Sequence, residues 1–383
     1  REVKGMSFEM KKIKIMSVFG TRPEAIKMCP LIKKMREYEE IESIVCLTGQ
    51  HREMLQQVID IFQIQVDYNL QIMKMSQTLH SITTDILTLI RPVLEKEKPD
   101  LVLVHGDTTT SFVAALAAFY QQIPVGHVEA GLRTYDKYAP YPEEMNRTLT
   151  GRIADLHFAP TENNRACLEK ENIRDHVFVT GNTVIDALQT TISPDYQYKD
   201  AALAAIMEER KGRLLLVTAH RRENLGKPLQ DICGALREIV SEYPDVEVIY
   251  PVHLNPLVRE PVHELLGQEE RVHLIDPIDV EDMHNLMDRS YLVLTDSGGL
   301  QEEAPSCGVP VLVLRDKTER QEAVDAGTVL MAGTRKDDIV RLTRALLDDQ
   351  EQYQRMSRAV NPYGDGRASE RILKAIIKYF GGK

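Results

Sequence analysis

The stretch KIKIMSVFGTRPE, residues 12–24, decides how the rest of the chain is read. Ile13, Ile15, Val18 and Phe19 form an apolar run that stops at Gly20, the pattern of a buried strand leaving a sheet. EAIKMCPLIKKMREYE follows at once, with Ile26, Leu31, Ile32 and Met35 at helical spacing. A strand, a sharp turn and a helix make half of a βαβ unit. An arginine and a glutamate stand just past the strand end. Arg22 there could face a nicotinamide cofactor, a phosphate or nothing but a structural turn.

Outward from this stretch the alternation continues. IESIVCLTG, DLVLVHGD, PVGHVEAG and VFVTGN read as strands, with helical segments such as REMLQQVIDIF and SFVAALAAFYQQ between them. The second of these helices is almost wholly apolar and is expected to be buried. Residues 190–210 interrupt the pattern as a polar linker with a helix. RLLLVTAH, VEVIYPVH, VHLIDP, YLVLTDSG and PVLVLRD then restart it. Strands apolar throughout and alternating with helices imply a parallel sheet covered on both faces. The expected fold is α/β, two Rossmann-like doubly wound domains joined near residue 187 and facing each other across a cleft. Such sheets bind ligands beyond the carboxyl ends of their strands.

The 383 residues carry a net charge of −11, which argues against general nucleic-acid or anionic-membrane binding. Five scattered cysteines, none in a CxxC pair, give no zinc or disulfide signal and suit a reducing compartment. No apolar run approaches the ~18 residues of a membrane span. These features point to the cytoplasm.

Polar residues gather just after the strands. Asp107 follows LVLVHG, Glu129 and Arg133 follow PVGHV, and YPEEMNR brings Glu143, Glu144 and Arg147. In the second half His220, Arg221 and Arg222 follow LLLVTA, His253 lies in YPVHLNP, and DSGGLQEE supplies Ser297, Gly298, Gly299, Glu302 and Glu303. Each alone could be a helix cap or a surface loop. Their common placement favours a site. In DSGGLQEE, Ser297 can cap a helix, the two glycines admit a ligand to the backbone amides, and the helix start favours a phosphate. Either glutamate one turn on could accept hydrogen bonds from ribose hydroxyls. Neither a Walker A motif nor GxGxxG follows any strand, so a nucleoside diphosphate fits better than a dinucleotide. Asp107, Glu129 and Glu143, from three separate loops, could supply a paired acid and base. Convergent metal ligands are not apparent, and no metal or cofactor is expected. His51, His80, His105, His127, His157 and His284 read as structural.

GTRPE, TGQHREML, VHGDTTT, GHVEAGLRT, PEEMNRTLTG, VTGNTVIDAL, TAHRREN, YPVHLNP, DSGGLQEEAP and NPYGDG, in this order over residues 20–366, resemble the bacterial non-hydrolysing UDP-N-acetylglucosamine 2-epimerases. The resemblance implies reversible conversion of UDP-GlcNAc to UDP-ManNAc for surface polysaccharides. The route is loss of the C2 proton and of UDP to give 2-acetamidoglucal, followed by re-addition. It implies a GT-B-like fold, usually a homodimer. The domains would be 1–186 with a final helix 367–383 packed back on it, and 187–366 holding UDP. Carried over by motif, Asp107, Glu129, Glu143 and His220 are catalytic. Arg22, Arg147, His253, Ser297, Gly298, Gly299 and Glu303 hold UDP and substrate, while Gln50, His51 and Arg221 bind UDP-GlcNAc as an allosteric activator. A hydrolysing enzyme releasing ManNAc, a GT-B glycosyltransferase and a non-catalytic nucleotide-sugar sensor are the competing readings.

Overall fold

The computed structural model describes residues 12–49, 52–74 and 76–381. They divide into two compact units: one takes in the chain up to Ala187 and again from Gly364, the other runs Leu188–Tyr363.

The first unit holds β1 (Ile13–Phe19), β2 (Ile41–Leu47), β3 (Tyr68–Asn69), β4 (Leu101–His105), β5 (Val125–Val128), β6 (Leu156–Ala159) and β7 (Val177–Val179). They form one parallel sheet in the order β3-β2-β1-β4-β5-β6-β7. The opening strand shows why. Ile15 and Phe19 enter a core on one face with Leu101 and Leu103, while Met16 and Val18 enter a second core with Val102 and Val104. Side chains alternate across a strand, so a strand with apolar residues on both faces must be covered on both sides. The helix Thr109–Tyr120 is buried along most of its length, as its composition demands, but Phe119 and Tyr120 at its end are exposed.

The last helix, Ala368–Gly381, belongs to this unit, and Ile372, Leu373 and Ile376 join the core of Ile15 and Phe19. Its start is held by Asp186, whose carboxylate accepts from the Ala368 and Ser369 amides at 3.1 and 2.7 Å.

The second unit repeats the plan with β8 (Arg213–Thr218), β9 (Val246–Pro251), β10 (Val272–Ile275), β11 (Leu292–Thr295), β12 (Val311–Val313) and β13 (Val329–Met331), ordered β10-β9-β8-β11-β12-β13 and all parallel. Each sheet therefore reverses its winding at one place, between β1 and β4 and between β8 and β11. A crevice opens there at the carboxyl ends of the strands. Among the described residues, no helix is long and apolar enough to cross a membrane.

Candidate active site

The turn after β1 is built around Glu24. Its carboxylate is buried and accepts from the Gly20 and Thr21 amides at 3.0 and 2.8 Å and from the Thr21 hydroxyl at 2.8 Å. Its other oxygen accepts from Thr108 and Ser111 at 2.6 and 3.1 Å, beyond the end of β4. One carboxylate thus ties together the two loops that flank the reversal point. Gly20 is explained by the same crowding. A β-carbon there would lie 1.8 Å from the Thr48 hydroxyl oxygen, so the glycine makes room for Thr48 and not for a ligand. Arg22 is the first residue of the helix Arg22–Met35 and is half-buried.

Glu129 follows β5 in the left-handed region, at φ 62°. A non-glycine residue there costs on the order of 1–2 kcal/mol. Its Oε2 accepts from Lys27 and, at 2.9 Å, from Asn182, and lies 3.7 Å from His105 Nε2. Burial alone would raise this carboxyl, but the Lys27 ammonium and the two hydrogen bonds outweigh it and hold it well below the ordinary carboxylate range. Glu129 is therefore ionised at neutral pH. His105 is neutral there, because burial pushes it down to about 4. A β-carbon on Gly106 would stand 3.7 Å from Glu129 Oε1, so Glu129 lies against the residue just before Asp107.

Asp107 pairs with Arg147, and its carbonyl accepts from Asn146 at 3.0 Å. The Arg147 guanidinium is buried between Asp107 and Glu144, 3.1 Å from the latter. Glu144 also accepts from the Thr134 and Tyr135 amides, which fixes the loop entering the helix Glu143–Ile153. Glu143, the first residue of that helix, is half-buried and makes no ion pair among the described residues. Arg133 serves the scaffold, bridging to Glu171 at 2.7 and 3.1 Å.

The second unit has a matching device. Asp296, fully buried after β11, accepts through Oδ2 from the His220 and Arg221 amides, each at 2.8 Å, and from Asn224 at 3.0 Å. Its carbonyl accepts from Arg221 Nε at 2.7 Å. His220 lies 3.5 Å from Asp296 Oδ1 and stacks on His253, with ring centroids 5.4 Å apart and planes 7° apart. Ser297 occupies the N-cap of the helix Gly298–Glu303, yet its hydroxyl makes no cap hydrogen bond, contrary to the capping expected from sequence. The glycines are spoken for by side chains. A β-carbon on Gly298 would meet the Arg320 guanidinium at 2.6 Å, and one on Gly299 would meet Glu303 Oε1 at 2.9 Å. Arg320 is held by Glu302 at 2.7 Å. Glu303 accepts from His284, whose other ring nitrogen contacts Thr191 at 2.7 Å.

The first unit brings together Asp107, Glu129 and Arg147, and the second brings together His220, Arg221, His253, Ser297, Gly298, Gly299 and Glu303 at one sheet edge. Gln50 and His51 lie outside the described residues. Lys27, Asn182, Asp296 and Arg320 are additions that sequence reasoning did not single out. Among the described residues no group of three or more His, Cys, Asp or Glu could hold a metal ion.

Comparison with known proteins identifies the kinship of this arrangement. The family model described as UDP-N-acetylglucosamine 2-epimerase matches residues 33–377. The chain belongs to this family. It is 56% identical over 373 residues to the UDP-N-acetylglucosamine 2-epimerase of Bacillus subtilis, covering 97% of each chain. It is 53% identical over 369 residues to that of Escherichia coli K12, covering 95% of this chain and 98% of the other. The crystal structure of the Neisseria meningitidis UDP-GlcNAc 2-epimerase bound to UDP-GlcNAc superposes with a TM-score of 0.85 at 49% identity, covering 95% of this chain and all of that one. Two doubly wound units are thus the fold of epimerases of this family.

Proposed function

We propose that this chain interconverts UDP-GlcNAc and UDP-ManNAc without hydrolysis. The observation that carries the reading is Glu129, a carboxylate kept ionised by Lys27 and Asn182 in a strained backbone conformation beside Asp107. Strain of this kind persists only where the surroundings enforce it, and it clusters at working sites. An ionised carboxylate is the form a base needs to take the proton from sugar C2. As that C–H bond breaks, its electron pair forms the C1–C2 double bond, and UDP leaves C1 with the electrons of the C–O bond. The product is 2-acetamidoglucal. Delivery of a proton to the opposite face of C2 and return of UDP to C1 complete the epimerisation. Asp107 and Glu143 are the remaining carboxylates for that delivery. Arg22 and Arg147 are cationic support on the first unit, and His220, His253, Ser297, Gly298, Gly299 and Glu303 hold UDP on the second.

Activation by a second UDP-GlcNAc through Gln50, His51 and Arg221, a homodimeric state, a cytoplasmic location and supply of ManNAc to surface polysaccharides complete the proposal, all by the family resemblance. Incubation with UDP-GlcNAc in D2O, followed by NMR, tests it. The expected product is UDP-ManNAc carrying deuterium at C2. Free ManNAc as the main product would make the enzyme a hydrolase, and tight binding without exchange would make the protein a sensor. Asp107→Asn, Glu129→Gln and Glu143→Gln are each expected to lower turnover at least ~100-fold. Near-normal turnover would remove the substituted residue from the mechanism.

A further inference from the structure

We propose that Asp296 is the positioning residue of His220, holding the imidazole with its proton on Nδ1 so that Nε2 is presented to an anionic oxygen of the bound nucleoside diphosphate. The nature of that ligand rests on the function proposed above; the pairing of the two side chains does not.

Three observations carry the inference. Asp296 is fully buried, and its Oδ2 already has three donors, the His220 and Arg221 amides and Asn224. Its Oδ1 is buried and has no hydrogen-bond partner among the described residues. A buried carboxylate oxygen without a donor is costly, and native proteins seldom keep one without a use for it. The titratable donor within ion-pair range of this oxygen is His220 Nδ1, at 3.5 Å. That separation is longer than a formed hydrogen bond, as such contacts commonly are before a ligand tightens them.

The ring itself is placed to work at both edges. Its backbone is fixed by Asp296, and the preceding residue is braced where the Tyr250 hydroxyl donates to the Ala219 carbonyl at 2.6 Å. One face stacks on His253. The side chain is still 43% exposed, so the Nε2 edge stays available while the Nδ1 edge is turned to the carboxylate. A proton on Nδ1 leaves a lone pair on Nε2, and an anion is met only when a second proton arrives there. Burial is the strongest influence on the ring and opposes that second proton, as do His253 and Arg221, while Asp296 favours it, and on balance the ring lies below an ordinary histidine. Among the described residues Asp296 is the neighbour that keeps an imidazolium within reach, and a diphosphate would be the second.

The Asp296→Asn variant separates this role from a loop-holding one. Its amide oxygen can take the three donors now on Oδ2, which turns the NH2 group toward His220 Nδ1. The ring must then accept at Nδ1 and carry its proton on Nε2. Long-range 1H–15N correlation spectra of the full chain labelled at histidine nitrogen read this directly, with His220 assigned from the signal lost in His220→Gln. The expected result is the Nδ1–H tautomer in the unsubstituted protein. In Asp296→Asn the Nε2–H tautomer is expected, with a titration midpoint lower by about one unit or more. Addition of UDP is expected to raise the midpoint in the unsubstituted protein. Asn224→Ala removes a different bond to Asp296 and is expected to leave the tautomer unchanged.

An Nε2–H tautomer in the unsubstituted protein would overturn the proposal, even if Asp296→Asn failed to fold. So would an unchanged midpoint in Asp296→Asn, or the same tautomer switch in Asn224→Ala. The tautomer is measured without turnover. An active epimerase with the wrong tautomer defeats this inference alone, and an inactive protein with the right one defeats only the proposed function.

Discussion

Replacing Lys27 by Met keeps the aliphatic stem of the side chain and removes the charge that faces Glu129. The two side chains are only 18% and 16% exposed, so the pair sits largely out of water. Removing one member of a buried pair leaves an uncompensated charge and costs about 3–5 kcal/mol. Asn182 still donates to Glu129, so the lower end, about 3 kcal/mol at pH 7, is the expectation. The pH dependence gives a sharper test. Glu129 is depressed in the folded protein, so its contribution to stability is present above the unfolded value, near 4.5, and is lost as pH falls. In Lys27→Met that contribution has gone, and the difference from the unsubstituted protein should hold from pH 7 down to about pH 5 and be smaller at about pH 3.5, the loss setting in below about 4.5. The chain has no tryptophan, so unfolding by urea is best followed by circular dichroism, with Glu129→Gln and the double variant completing the cycle. The expected coupling between the two positions is at least ~2 kcal/mol at pH 7. A Lys27→Met variant within ~0.5 kcal/mol of the unsubstituted protein at both pH 7 and about pH 5 would refute the account of an ionised, cation-held Glu129.

Gly20→Ala should destabilise by about 1–3 kcal/mol through overpacking against Thr48, and Thr48→Ala in the same chain should restore part of it; an additive pair would contradict the steric account. Glu129→Gly should be more stable than Glu129→Ala by about 1 kcal/mol in thermal melts, because alanine keeps the left-handed strain that glycine lacks. Burial pushes His105, His127 and His157 down to about 4, 3 and 4. The unfolded chain thus binds protons that the folded one refuses, and stability should fall as pH drops from about 6.5 toward 4. A melting temperature flat across that window would contradict their buried, neutral state.

Most of the frame was legible because strands buried on both faces leave uninterrupted apolar runs, and the residue after each run marks the working edge of a sheet. That is why Asp107, Glu129, His220 and Ser297 could be placed just beyond strand ends from sequence alone. β3 and β13, at two and three residues, are too short to show a period. Lys27 escaped for another reason. It sits on a helix like any solvated lysine, and its partner lies 102 positions away. Asp296 was visible in DSGG, but its importance depends on β8 and β11 being neighbours, which joins residues 76 positions apart. Ser297 was misread in the same way: the nearby sequence suggested a helix cap, but its hydroxyl makes no cap hydrogen bond. Sequence reveals where a loop leaves the sheet and conceals which distant loop it meets.

The hold of Asp186 on the start of the last helix has a bearing on how the chain is made. A ribosome delivers the first unit's seven strands long before Ile372, Leu373 and Ile376, which fill the same core as Ile15 and Phe19. Domains usually fold in the order of synthesis. This one must wait, with part of its apolar interior uncovered, while the whole second unit is translated. A transcript cut short anywhere after the second unit would yield that unit complete and joined to an unfinished first one, and the uncovered core would expose that product to chaperones and proteases. The order of the chain thus makes the helix Ala368–Gly381, read after the whole second unit, the piece on which closure of the first unit's core depends.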